Sequence, residues 1–226
     1  MNDKQLVAEH AARLVDDGMV VGLGTGSTAN YFIEAIAKRR VDEGLNVQVV
    51  ASSVVSTIKA QQLGLPMLAL EHIDHLDLYV DGADEVTTDL TLLKGRGADL
   101  VREKLLANAS DKFLVLIDAS KRVSRIGENF PIPIEVMPFA WQLVQRSITK
   151  LGGQANLRAN ASKDGLVVTS HGSLVLDVIF DGNLDHQSLN DRLNAIPGIV
   201  EHGIFYGLTS AVFCAEQGLV QEQWRS

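Results

Sequence analysis

Two neighbouring segments of the chain combine carboxylates and bases with glycine. The first is Asp81-Gly82-Ala83-Asp84-Glu85, and the second, residues 94–104, begins Lys-Gly-Arg-Gly. Each follows a short apolar stretch typical of a buried strand, and a core requires none of these polar groups at a strand end. A carboxylate can move a proton while an ammonium stabilises the negative charge that develops. The two segments therefore predict a reaction site.

A glycine-rich segment, residues 22–28 (GLGTGST), lies between a predicted strand and a predicted helix. Backbone N–H groups and the helix dipole at such a junction favour an anion, and Thr25, Ser27 and Thr28 add hydroxyl donors. The segment is not a dinucleotide fingerprint, because Ser27 occupies the third glycine position. It is not a Walker loop either, because no lysine follows. Its residues alone predict an anion site or a tight turn capped by Ser27 equally well.

The acidic segment 81–85 follows a predicted strand at 78–81. Ligands of parallel sheets bind at the carboxyl ends of strands, so Asp81 and Asp84 are well placed for function. Paired acids coordinate a cation, share a proton or bind sugar hydroxyls. The alternative is a turn whose aspartates cap the backbone.

Two lysines also lie near predicted strand ends. Lys94 precedes the flexible residues 95–97, where an ammonium can meet a phosphate or a developing oxyanion. Lys121 closes the segment 118–121, which follows a predicted strand at 113–117. That strand belongs to the same predicted sheet, so Lys121 can reach the same crevice. The alternative is an exposed lysine.

The helix predicted at 97–108 carries Glu103. Its apolar residues Ala98, Val101 and Leu105 recur at helical spacing and predict the buried face. Glu103 lies off that stripe, four residues after Asp99, and by itself is typical of a solvent-exposed helical acid.

The remaining reactive residue types give weaker signals. His72 and His75 are near several acids, but no cysteine or third histidine lies at ligand spacing, so no metal site is predicted. Cys214, the one cysteine, lies in an apolar run and is interpreted as a buried small side chain.

Strands alternate with helices through the first part of the chain, and the strands are apolar throughout. This pattern predicts an α/β fold with a Rossmann-like, mostly parallel sheet and helices on both faces. From residue 130 the order becomes β-α-β-β-α-β, which predicts a smaller ferredoxin-like domain. The predicted domains are residues 1–129 with 206–226, and residues 130–205. Strands are also predicted at 67–70 and 208–215.

Composition excludes several classes of function. The 226 residues carry a net charge of −8 and are 46% hydrophobic, which argues against a nucleic-acid partner and for a substantial core. No apolar run approaches the roughly 20 residues of a membrane span, so no membrane partner is expected. A single cysteine and the absence of a signal peptide at the N-terminus predict a cytoplasmic protein.

The motifs taken together resemble the ribose-5-phosphate isomerase family, type A. The resemblance rests on residues 24–28, 81–85, 94–97 and 102–104, in order and in spacing, and it extends through 118–121 and 195–200 over nearly the whole chain. It implies a metal-free and cofactor-free aldose–ketose isomerase that interconverts ribose 5-phosphate and ribulose 5-phosphate. A small sugar phosphate would be its ligand, and a homodimer its usual assembly.

The resemblance also implies roles for particular residues. Glu103 would be the proton acceptor, assisted by Asp81, Asp84 and Lys94. Substrate contacts would come from Lys4 and Lys121, and from Thr25, Gly26, Ser27, Thr28, Asp81, Gly82, Ala83, Asp84, Lys94, Gly95, Arg96 and Gly97. Arg96 departs from some relatives, which have glycine there, and residues 206–210 match the family weakly.

Two other classes of function compete with the isomerase. A non-catalytic sugar-phosphate sensor would keep the glycine-rich loop, but would not need Glu103, Lys94 and Asp81 together. A sugar-phosphate deaminase or an acyl-CoA transferase on a similar sheet would carry a ring-opening histidine or a nucleophilic glutamate in a different motif.

Overall fold

A computed structural model describes residues 2–182 and 185–225 of the protein. Its helices within these ranges are α1 (Asp3–Ala12), α2 (Ser27–Glu43), α3 (Val54–Gln62), α4 (Leu100–Ala109), α5 (Trp141–Lys150) and α6 (His186–Asn194). The strands are β1 (Val20–Leu23), β2 (Gln48–Ala51), β3 (Leu76–Gly82), β4 (Glu85–Val86), β5 (Leu92–Leu93), β6 (Ser110–Asp118), β7 (Ile132–Val136), β8 (Gly153–Leu157), β9 (Leu174–Phe180), β10 (Ile199–His202), β11 (Ile204–Phe205), β12 (Ala211–Glu216) and β13 (Leu219–Trp224). Among these helices, none has the length and apolar character needed to traverse a membrane.

The chain forms two compact units. The first contains the described residues up to Ala83, Arg102–Lys121 and the described residues from Leu208; the second contains Asp84–Val101 and Arg122–Gly207. Residues 84–101 and 122–129 thus group with the second unit, whereas the sequence analysis assigns them to the first domain. The reason is pairing, because β4 and β5 form a small sheet with β11 instead of joining the large sheet.

The first unit is built on a six-stranded sheet in the order β13-β12-β6-β3-β1-β2. Its pairs are parallel except for β12 with β13 at the edge. Helices α1 and α2 share one apolar core with this sheet. The helices contribute Val7, Ala11, Phe32, Ile33 and Ile36 among others, and the strands contribute Val80, Leu116 and Phe213. The predicted α/β class with a mostly parallel sheet is therefore confirmed.

Local differences from the predicted elements lie at the edges of the first unit. The strand predicted at 67–70 is reduced to a single bridge between Met67 and Val49. Strand β13 is largely exposed and mixes apolar with polar residues without strong alternation, and the sequence analysis did not predict it.

The second unit contains a four-stranded antiparallel sheet in the order β10-β7-β9-β8. With α5 and α6, the chain order is β-α-β-β-α-β, as predicted for a ferredoxin-like arrangement. Alternate residues of β7 face the core, because side chains of a strand point to opposite faces in turn. The core of this unit includes Ile132, Ile134, Val136, Val144, Ile148, Leu176, Val178, Leu189 and Leu193.

Candidate active site

The first unit has a topological switch point between β1 and β3. The chain leaves β1 for β2 on one side and then crosses to β3 on the other side. Ligands of open α/β sheets bind beside the carboxyl ends of such strands. The glycine-rich loop follows β1 and Asp81 lies near the end of β3, and the N–H of Gly24 donates to the carbonyl of Val80 at 2.9 Å. The structure therefore brings two of the predicted segments together at this switch point.

Asp81 is fully buried and anchors the glycine-rich loop. Its Oδ1 accepts hydrogen bonds from the N–H of Thr25 at 2.9 Å and from that of Gly82 at 2.7 Å. Its Oδ2 accepts a hydrogen bond from the hydroxyl of Tyr79 at 2.5 Å. The loop passes so close that a Cβ on Gly24 would lie 2.1 Å from Oδ1. Glycine at position 24 is thus required by the carboxylate opposite it.

The hydroxyl of Thr25 belongs to a buried cluster of serines. It lies 2.9 Å from Oγ of Ser52 and donates to Oγ of Ser53 at 2.7 Å. The hydroxyl of Ser56 in turn donates to the carbonyl of Gly24 at 2.7 Å. All three serines are buried at the start of α3. This cluster holds the loop in addition to Asp81.

The loop leads directly into the N-terminus of α2. Gly26, with φ of 108°, caps the helix without a side-chain hydrogen bond, and Ser27 is exposed beside it. Lys4 donates from Nζ to Oγ of Ser27 at 2.9 Å. An exposed helix N-terminus with a lysine beside it is a favourable environment for an anion. Lys4, Ser27 and Gly26 therefore lie together at the start of α2.

Glu103 occupies the buried face of α4 and is only 6% exposed. The buried positions of the helix are Leu100, Glu103, Leu106 and Ala107, which recur at helical spacing. The predicted apolar stripe was wrong, because Leu105 is 52% exposed and Ala98 precedes the helix with a positive φ of 65°. Glu103 is thus not the solvent-exposed acid that its sequence context alone would suggest.

Tyr79 lies close to the carboxylates of Asp81 and Glu103. Burial raises the pKa of its phenol well above the ordinary value of 10.0, and the negative charges of Asp81 and then Glu103 raise it further. The ring stacks on Phe113 at a centroid distance of 4.8 Å. Tyr79 is therefore a protonated hydrogen-bond donor held rigidly within the core. The sequence analysis missed it, although Tyr79 and Asp81 are two residues apart and so share one face of β3.

Lys121 lies at the same edge of the large sheet. It ends the short 3₁₀ segment Ala119–Lys121, directly after β6. Because β6 pairs in parallel with β3, the carboxyl ends of the two strands are adjacent. The structure thus places Lys121 one strand away from the strand that carries Asp81.

The second unit carries the other predicted residues, Asp84 and the loop 94–97. Lys94 is buried, with Nζ 5.7 Å from the ring centre of Phe205. The guanidinium of Arg96 lies 4.0 Å from the ring centre of Phe130, and its Nη1 is 3.9 Å from Oδ1 of Asp84. Arg96 therefore has protein partners of its own within this unit.

The backbone of this loop is held tightly. Gly95 has φ of 94°, and a Cβ there would lie 1.4 Å from Cδ2 of Leu100. Nη1 of Arg158 reaches the carbonyls of Gly95 at 3.4 Å and Arg96 at 3.0 Å. The sequence analysis gave no role to Arg158, because it lies far from the loop in sequence.

A family model described as "Ribose 5-phosphate isomerase A (phosphoriboisomerase A)" matches residues 48–218 of the chain. The ribose-5-phosphate isomerase A of Prochlorococcus marinus subsp. pastoris is 44% identical over 211 residues, which cover 92% of this chain and 91% of that protein. The enzyme of the same name from Methanothermobacter thermautotrophicus is 44% identical over 212 residues, covering 94% and 93%.

Solved structures agree with these sequence relatives. The structure of ribose 5-phosphate isomerase A from Methanocaldococcus jannaschii superposes with a TM-score of 0.93 at 38% identity and covers 98% of each chain. A D-ribose-5-phosphate isomerase in complex with phospho-erythronic acid superposes with a TM-score of 0.95 at 35% identity over the full length of both chains.

Proposed function

The chain belongs to the ribose 5-phosphate isomerase A family and is an aldose–ketose isomerase; from that premise we propose that Glu103 is the base that interconverts D-ribose 5-phosphate and D-ribulose 5-phosphate. The observation that carries this proposal is the burial of the Glu103 carboxylate on α4, near the phenol that also holds Asp81. Burying a carboxylate costs free energy that pairing and hydrogen bonds only partly offset, so its presence at a core-facing helix position supports a functional role. The reaction belongs to the non-oxidative pentose phosphate pathway.

The chemistry requires only one base. Glu103 removes the proton from C2 of the open-chain aldose, and the electron pair forms the C1–C2 double bond of a cis-enediolate. The same carboxyl group then returns the proton to C1, because the two carbons are adjacent. General-base catalysis of this kind contributes about 10²- to 10⁴-fold to the rate.

Charge on the enediolate oxygens needs a positive partner. We assign that role to Lys94, whose ammonium stabilises the oxyanion, together with the backbone of residues 95–97. Asp81 and Asp84 are assigned to the sugar hydroxyls, where they assist ring opening and the exchange of the hydroxyl proton between O1 and O2. The buried, three-donor environment of Asp81 supports a fixed hydrogen-bond acceptor in that position.

The phosphate of the substrate is assigned to the start of α2. Residues 25–28 supply hydroxyl and backbone donors there, and Lys4 lies beside Ser27. Lys121 is assigned to the same anionic substrate. A relative at 35% identity was solved in complex with phospho-erythronic acid, which combines a phosphate with a sugar acid, and this supports a phosphorylated sugar as the ligand of this chain.

The test is isomerisation followed by proton NMR in D₂O. Ribose 5-phosphate incubated with the protein should yield ribulose 5-phosphate and should exchange the transferred hydrogen with solvent deuterium. Absence of both would contradict the proposed reaction. If the ketose forms without any exchange, and Glu103→Gln is fully active under the same conditions, the reaction stands but the assigned base is wrong.

The resemblance also implies a homodimer, which we propose as the assembly. Sedimentation equilibrium at micromolar concentration should give twice the 24.5 kDa of the chain. A mass of one chain, or of four, would contradict it.

A further inference from the structure

Arg158 grips the backbone of the loop 94–97 from within the second unit. It directly follows β8, and its own backbone is fixed, because its N–H donates to the carbonyl of Val175 at 2.9 Å and its carbonyl accepts from Val167 at 2.9 Å. Its guanidinium is held on one side by Asp177, with Nε 2.9 Å from Oδ2 and Nη2 2.5 Å from Oδ1. Such a bidentate pair fixes the plane of the guanidinium.

The remaining nitrogen of the fork points at the loop. Nη1 of Arg158 donates to the carbonyls of Gly95 and Arg96, two consecutive peptide groups. In a trans peptide the C=O and the following N–H point in opposite directions, and the described peptides are all trans. Holding those two carbonyls toward Arg158 therefore directs the N–H groups of Arg96 and Gly97 away from it.

We propose that Arg158 is a positioning residue for the isomerisation, which aims the N–H groups of Arg96 and Gly97 at the substrate. The proposal rests on the assignment of this loop to the substrate made above. Arg158 does not touch the reacting atoms. Asp177 braces it, and Gly95 with its positive φ gives the loop the conformation that the guanidinium grips.

Arg39 provides a matched control within the same chain. Its Nη1 donates to the carbonyls of Ala12 at 2.5 Å and Val15 at 2.8 Å, and its Nε donates to Glu43 at 2.8 Å. The side chains of Arg39 and Arg158 are 21% and 15% exposed. Both arginines therefore donate to two backbone carbonyls and pair with one carboxylate. The segment bound by Arg39, however, contains no proposed site residue.

The experiment compares Arg158→Ala with Arg39→Ala in the full-length protein. Arg158→Ala should lower kcat/KM about 10- to 100-fold, mainly through kcat, the range expected when catalytic donors shift by roughly 1 Å. Added guanidinium at millimolar concentration should restore part of that loss, and Arg158→Lys should remain impaired because it lacks the fork. Arg39→Ala should lower the melting temperature but leave kcat/KM, with and without guanidinium, unchanged.

The outcomes distinguish the positioning role of Arg158 from the assignment of the loop 94–97 to the substrate. If folded Arg158→Ala keeps kcat/KM within about twofold of the parent while Lys94→Ala is inactive, the positioning role is wrong and the substrate loop stands. If Lys94→Ala is also fully active, the assignment of the loop itself is wrong. If Arg39→Ala loses as much kcat as Arg158→Ala, the effect is general destabilisation and the positioning role is again wrong. Asp177→Asn should reproduce a weaker form of the Arg158→Ala defect.

Discussion

The hydroxyl of Tyr79 donates a hydrogen bond to Oδ2 of Asp81 across 2.5 Å, inside the core of the first unit. Oδ2 of the carboxylate thus accepts from the phenol, and Oδ1 accepts from the N–H groups of Thr25 and Gly82. A buried carboxylate in this setting has a fixed orientation, because each of its oxygens has a donor supplied by a rigid element.

Tyr79→Phe should impair both stability and turnover. The change removes one charge-assisted hydrogen bond, worth about 1.5–3 kcal/mol in the free energy of unfolding, and keeps the ring stacked on Phe113. The kcat should fall about tenfold as Asp81 loses its fixed orientation. Denaturant unfolding and steady-state kinetics would measure the two effects. Tyr31→Phe, which removes a hydroxyl bonded to Asn2 at the surface, should alter neither.

The raised pKa of Tyr79 has a further consequence at high pH. The unfolded chain releases the phenolic proton near its ordinary pKa of 10.0, whereas the folded protein retains it well above that value. The folded state then binds more protons, so stability falls as pH rises beyond 10. Tyr79→Phe should lose stability less steeply than the parent over that range. An equally steep loss in both proteins would contradict the assignment.

Glu103→Gln should fold normally and turn over at least about 10²-fold more slowly, since the amide cannot accept the proton from C2. The measurement is kcat for ribose 5-phosphate alongside thermal unfolding. Glu34→Gln is a suitable control, because Glu34 lies on a helix of the same unit, is half exposed and pairs with Lys59. Near-normal turnover by folded Glu103→Gln would remove Glu103 from the mechanism.

Glu135→Gln should stabilise the protein at neutral pH. Glu135 is buried on β7 opposite Glu201 of β10, and burial raises its pKa although Thr169 donates to it at 2.7 Å. The folded state keeps the proton that the unfolded chain releases near 4.5, so stability is lost as pH rises through that window. The gain in melting temperature should therefore be present at pH 7 and absent near pH 4.

Glu222 is a control for Glu135, because its pKa is shifted in the opposite direction. Hydrogen bonds from His10 and then Trp224 lower its pKa. Its stabilising effect is therefore present above the ordinary pKa of 4.5 and is lost as pH falls. Glu222→Gln should lower the melting temperature at pH 7, and a gain there would contradict this assignment.

Chelation should leave activity unchanged. In the described part of the chain, one group of three potential ligands lies within 4.8 Å, namely His75, Asp77 and Asp111. These residues lie at the amino ends of β3 and β6, and Asp77 is about 13 Å along its strand from Asp81. Exhaustive EDTA treatment, and separately His75→Ala, should therefore not alter kcat. Loss of activity that a divalent ion restores would contradict a metal-free mechanism.

The fold was predictable because its signals are local. Apolar strands alternating with amphipathic helices indicate a parallel sheet, and the β-α-β-β-α-β order after residue 130 indicates the second sheet. Strands β4 and β5 were not separable from the first domain, because only pairing with β11, more than 100 residues later, assigns them to the second unit.

The proposed site residues came from motifs and from the family resemblance, and their supporting contacts did not. The motifs drew attention to Asp81 and Lys94, whereas Glu103 was singled out only by the resemblance. The contacts of Tyr79 with Asp81 and of Arg158 with the loop 94–97 appear only in the structure, and no local pattern distinguishes these residues from an ordinary core aromatic and an ordinary surface arginine. For Glu103, periodicity gave the wrong buried face, because the helix starts at Leu100 and a carboxylate occupies a position normally apolar.

The close approach of Gly24 to Asp81 makes these two positions evolutionarily dependent. Any side chain at position 24 would overlap the carboxylate at position 81, since its Cβ would lie 2.1 Å from Oδ1. A lineage that abandoned the aspartate would become free to accept larger residues at 24, whereas one that retained it could not. Selection for folding alone should therefore accept larger residues at 24 only where 81 is no longer aspartate, whereas selection for activity in a library randomised at both positions should recover only the glycine–aspartate pair.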